Sequence, residues 1–139
     1  MIPLKQKHKY IKDVQHGDCW SACVESILEC EGAMPYWNIN TDWATHYTNV
    51  LSALDKLGYS LYGYDIHLLE EEILNSPDTD GYVIAIGKSP RSTENERVNH
   101  AVVWRNGIVH DPHPDNTGIL DIISFEVLIK NNQTTQPKL

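Results

Sequence analysis

Three side chains far apart in the chain carry reaction chemistry: a thiol at Cys19, an imidazole at His100 and a carboxylate at Asp111. Cys19 lies in "QHGDCWSACVESIL", directly after Gly17 and Asp18 and just before an apolar helical stripe. Asp18 is a good helix N-cap, which places Cys19 in the first turn. There, unpaired backbone N–H groups and the positive end of the helix dipole favour a thiolate. From this stretch alone, a nucleophile and a sulfur that simply packs at a helix start both remain open, because free cysteine is commonly buried. Cys23 and Cys30, further along the helix, read as packed thiols.

A thiol nucleophile needs a base, and the base needs an orienting partner. "VNHAVVW", "RNG" and "IVHDP" read as a strand, a tight turn at Asn106 and Gly107, and a returning strand. A two-residue turn sets Arg105 opposite Ile108, Trp104 opposite Val109, Val103 opposite His110 and Val102 opposite Asp111. His100 then shares a face with Val102 and Trp104, and Asp111 is its diagonal neighbour. Diagonal neighbours lie about 7–8 Å apart at the alpha carbon, which an imidazole and a carboxylate can close to a hydrogen bond. His110 falls on the opposite face, and the direction of His113 is not fixed, since Pro112 interrupts the ladder. The competing reading of His100 is a core histidine satisfied by a backbone group.

Other chemistries have less support. "HDPHP" places two histidines beside carboxylate and proline, but no second Cys or His pair stands at ligand spacing, so no metal is expected. The acidic residues are scattered over expected surfaces, which disfavours paired-carboxylate glycoside chemistry. Trp37, Trp43, Tyr47, Tyr62 and Tyr64 are placed in the core, although such residues can line a groove.

The elements that position these groups follow from apolar spacing. Trp20, Cys23, Val24, Ile27 and Leu28 form one face of a helix ending near Gly32. A second helix, with Trp43, Tyr47, Val50, Leu51, Leu54 and Leu57 as its stripe, takes Thr41 as N-cap and Gly58 as its stop. "YSLYGYD" is a short strand candidate, "IHLLEEEILNSP" a brief amphipathic helix and "GYVIAIG" an interior strand. Lys88 to Arg97 is a polar surface loop. "SFEVLIK" is a last strand or a short helix, and the tail from 131 to 139 is expected to be disordered. Helices come first and strands later, so the class is α+β, with a meander of antiparallel strands against the helices.

The chain has 139 residues, one domain's worth, read as a single domain over 1–130. Its net charge of −8 argues against a sequence-blind grip on nucleic acid. "KQKHKYIK" is expected to be a strand with a solvated lysine edge. No apolar run spans a bilayer and the start lacks a secretion signal, so a cytoplasmic, monomer-like protein is expected, with no membrane partner and no cofactor. The three cysteines lie on one expected helix and read as free thiols rather than a disulfide framework.

"DCWSACVESIL" resembles the nucleophile helix of papain-like cysteine peptidases, in which Cys followed by Trp opens the long helix. It is closer to the compact peptidase domains of bacteriocin-processing ABC transporters and their stand-alone relatives. "HAVVW", a glycine turn and "VHDP" resemble the same group's His strand and Asp-Pro ending. The similarity spans Gln15 to Pro112 in order, with motif-level likeness at its two ends. It implies a papain-like fold, with Cys19 as nucleophile, His100 as general base and acid, and Asp111 as the residue orienting the imidazole. It also implies an oxyanion-hole glutamine, given to Gln15 with the Cys19 backbone N–H. That family places the glutamine about six residues before the nucleophile, where this chain has Asp13. Trp20 replaces the transporter peptidases' glycine, so the implied activity is a thiol hydrolase of a peptide, isopeptide or other amide in a peptide or protein substrate. Two alternatives keep the same residues: a transglutaminase-like acyltransferase, and a non-catalytic papain-fold binding or inhibitor protein.

Overall fold

Apolar residues at helical spacing account for both helices. In α1 (Cys19–Leu28), Cys23, Val24 and Ile27 are buried, and the helix stops when Glu29 turns left-handed at φ 56°, sooner than the expected end near Gly32. In α2 (Trp43–Lys56), the side chain of Asp42, rather than Thr41, accepts the Thr45 N–H and caps the first turn. The expected stripe is split, and His46, which is not part of it, joins its buried members. His46, Val50 and Leu54 are buried, whereas Trp43, Tyr47 and Leu51 stand exposed, because four-residue steps put each set on its own line along the helix.

The computed structural model describes residues 1–66 and 77–131. Its architecture is α+β: α1 and α2 accompany one antiparallel sheet of five strands, β1 (Tyr59–Asp65), β2 (Val83–Lys88), β3 (Asn99–Trp104), β4 (Ile108–His110) and β5 (Ile122–Lys130). The order across the sheet is β1-β5-β2-β3-β4, so the expected meander is interrupted: the last strand inserts between β1 and β2. "SFEVLIK" thus belongs to a central strand. Most of "IHLLEEEILNSP" and the tail beyond Asn131 lie outside the described residues.

Strand alternation splits the core in two. Ile84, Ala101, Val103 and Leu128 pack with Cys23, Val24, Ile27, Val50 and Leu54 from the helices. Val83, Ala85, Val102, Phe125 and Val127 form a second cluster on the other face. Each fully buried aliphatic side chain contributes about 1.5–3 kcal/mol relative to exposure. Gly87 pairs with His100 across the β2–β3 ladder, and a Cβ there would lie 1.5 Å from the Asp121 carbonyl oxygen. Only glycine lets the approach to β5 cross so close to the histidine.

The N-terminal segment does not form the expected lysine-edged strand. Lys5 Nζ donates to the carbonyls of Asp111 and His113 and to Asn116 Oδ1. Gln6 N–H donates to the Pro112 carbonyl, and Leu4 N–H to Ser26 Oγ. The segment therefore ties the loop after Asp111 to α1.

Candidate active site

Cys19 sits at the first position of α1, where the chain from His8 to Asp18 has doubled back on itself. Asp18 N–H donates to the His8 carbonyl, and Ile11 bridges Gln15. Asp18 provides no side-chain cap for α1. Its carboxylate faces the other way, accepting the Lys7 and His8 N–H groups and contacting His8 Nδ1 at 3.2 Å. The first turn of α1 is left without a side-chain cap beside the sulfur.

The hairpin builds the second half of the site. Val103 pairs with His110 as the turn geometry predicts, but a bulge sets Trp104 opposite Ile108 rather than Val109. The turn itself closes through an Arg105 N–H bond to the Gly107 carbonyl. β4 ends at His110, so Asp111 lies just past the ladder. His100 Nε2 and Asp111 Oδ1 are 2.7 Å apart, and both side chains are buried. Asp111 Oδ1 also accepts the His113 N–H, and Oδ2 accepts the Gly118 N–H at 2.7 Å. Three donors lock one carboxylate. His110 points to the other face and bonds the Leu4 carbonyl. The His113 ring meets His100 edge-on at 6.1 Å, and its Nδ1 contacts Asp115.

Electrostatics give this arrangement a neutral resting form. Burial raises the Cys19 thiol above its ordinary value of 9.0, against the smaller lowering effect of the Ala101 and Trp20 backbone N–H groups. Burial also lowers His100 below 6.5, outweighing the Asp111 contact. For Asp111, burial acts upward, but its bonds from His100, His113 and Gly118 together leave the carboxyl below its usual range. The thiolate expected from the helix mouth is therefore not favoured at rest. Cys19 is partly exposed, and its sulfur contacts the backbone N–H of Ala101, the residue after His100. Among the described residues the sulfur and the ring share no hydrogen bond. The contact the sulfur makes on β3 is the Ala101 backbone N–H, one residue along from the ring.

Gln15 is committed elsewhere: its amide donates to the Lys9 carbonyl at 2.7 Å. Gln6, not recognised from the sequence, is a second upstream amide. Its Nε2 donates to the His8 carbonyl at 2.8 Å, the same oxygen that accepts Asp18 N–H at 3.2 Å. The Gln6 amide and the N–H of the Gly17–Asp18 peptide thus share the His8 carbonyl. Its Oε1 is buried without a partner among the described residues, a state that costs about 1–3 kcal/mol.

An open pocket of about 300 Å³ adjoins Cys19, with Trp37, Trp43, His46 and Tyr47 on one side and Glu126 among its other lining residues. Trp37, Trp43 and Tyr47, assigned to the core from their spacing, thus line a cleft. Trp37 stacks between His16 and His46. Tyr62 is exposed on β1, and Tyr64 packs on the second core cluster. Among the described residues no group of three or more His, Cys, Asp or Glu is disposed to hold a metal, and no helix is long and apolar enough to cross a membrane. No family model matches the chain, and no curated protein or solved structure is significantly similar to it.

Proposed function

We propose that this chain is a papain-like thiol hydrolase that cleaves a peptide, isopeptide or other amide through an acyl-enzyme on Cys19. The observation that carries this reading is the buried His100–Asp111 pair at 2.7 Å, held at the strand end whose next backbone N–H touches the Cys19 sulfur. Cys19 Sγ attacks the substrate carbonyl carbon while His100 takes the thiol proton, and a tetrahedral oxyanion forms. Collapse breaks the C–N bond, with His100 returning its proton to the leaving amine and a thioester left on the sulfur. Water, deprotonated by His100, then releases the acid and restores the thiol. Asp111 fixes the ring through Nε2, which leaves Nδ1 to exchange the proton.

The direct test is capture of the thioester. Acid-quenched reactions of the protein with activated peptide esters should carry one acyl mass on Cys19, removable by hydroxylamine. Acylation of Cys23 or Cys30 in its place would refute the assignment. An added amine appearing in the product would redirect the same chemistry to acyl transfer.

Gln6 and the Cys19 backbone N–H are the proposed oxyanion donors. Loss of one such donor typically costs about 10²–10³-fold in kcat. Gln6→Ala should show that loss and Gln15→Ala should stay within about twofold of the parent, in line with a surface substitution. The reverse pattern in steady-state kinetics would return the role to Gln15.

A further inference from the structure

Among the described residues, the pocket beside Cys19 combines aromatic walls with a single uncommitted anionic oxygen. Glu126 projects from β5, paired with Ile84 and Gly63 across its two ladders, and its Oε1 accepts the Trp20 indole N–H. Among the described residues its Oε2 has no hydrogen-bond or ion-pair partner. Asp18, the other acidic lining residue, has both oxygens engaged by Lys7 and His8. Among the described residues no lysine or arginine lines the pocket. Of the groups packed against it, His46 is held below its ordinary value by burial and by neighbouring His16, which favours its neutral form near pH 7.

Burial pushes the Glu126 carboxyl up, against the weaker effect of the indole bond. A half-buried carboxylate with one neutral donor is poorly compensated, and a cation is the partner that compensates it best. Trp43 is 57% exposed and Tyr47 39% exposed, so their ring surface is open to an incoming group. Aromatic faces attract ammonium and guanidinium groups and give nothing comparable to an anion.

We propose, on the premise that Cys19 is the nucleophile, that this pocket selects a lysine or arginine side chain on a substrate residue flanking the scissile carbonyl. Glu126 is the specificity-determining residue: its Oε2 receives the cation while the aromatic walls cover the aliphatic stem. Aliphatic side chains of the same length gain only the burial, and acidic ones meet a like charge.

The test reads binding without turnover. The full chain carrying Cys19→Ala is titrated calorimetrically with Nα-acetyl-lysine N-methylamide and with its norleucine and glutamate counterparts. The lysine compound should bind on the order of tenfold more tightly than norleucine, with glutamate weakest. Glu126→Gln, which keeps an acceptor for the Trp20 indole, should erase the lysine preference. Equal affinities for lysine and norleucine, including no measurable binding of either, would overturn the assignment, as would a preference that survives Glu126→Gln. Because no turnover is read, failure of thioester capture in the parent protein would count against the hydrolase reading alone.

Discussion

On the proposed acyl-enzyme mechanism, Cys19→Ala should abolish turnover while the fold persists. The expected fall in kcat/KM is on the order of 10⁴–10⁶-fold, the scale seen when a nucleophile is removed from a group that acts as a unit. Stability should change by less than about 1 kcal/mol, since the residue is partly exposed and first in its helix. Cys23→Ala should behave in the opposite way. That sulfur is fully buried in the helix-side core, so its removal leaves a small void costing about 1–2 kcal/mol with modest kinetic effect. Paired kinetics and denaturant melts of the two variants check both. Parent-like activity in Cys19→Ala would remove the acyl-enzyme.

Asp111→Ala should damage stability and activity together. Its carboxylate satisfies His100 Nε2 and the N–H groups of His113 and Gly118. Each orphaned donor costs about 1–3 kcal/mol, and water entry reduces the sum, so a loss of about 3–5 kcal/mol is expected. That corresponds to a fall of roughly 10–17 °C in Tm. Asp111→Asn separates the two effects. It keeps an oxygen for His100 and His113 but turns an NH₂ toward the Gly118 N–H, so it should melt between parent and alanine variant. It should lower kcat much less than the alanine variant does, because an amide oxygen still orients the ring, as in Cys-His-Asn sites. Equal melting of the alanine variant and the parent would contradict the three-donor role.

What the sequence made legible was mainly what is local. The helix-one stripe became a buried face because nearly all of it packs on β3 and β2, and the His100–Asp111 contact followed from a short hairpin whose alternation survives its bulge. The insertion of β5 between β1 and β2 was not legible, since strand order depends on pairings between distant segments. Helix two misled in a particular way: Trp43 and Tyr47 have helical spacing, but the ridge of His46, Val50 and Leu54 is the one that packs. Asp18 looked like a cap because its type and position fit, and the loop from His8 took its carboxylate instead. The same fold-back hid Gln6, whose amide shares the His8 carbonyl with the Asp18 N–H from twelve residues away in the chain. Gln15 was nearer in sequence and is engaged with Lys9.

The central claim is that one proton passes between the Cys19 sulfur and the His100 ring. The rate of Cys19 alkylation by iodoacetamide, read by peptide mass against pH, tests it most directly in the parent and in His100→Ala. With the imidazole as acceptor, the parent should stay reactive until pH falls through the lowered His100 value, below 6.5. Without it, reaction should wait for the thiol itself to ionise, above 9.0. Two superimposable profiles would contradict the account.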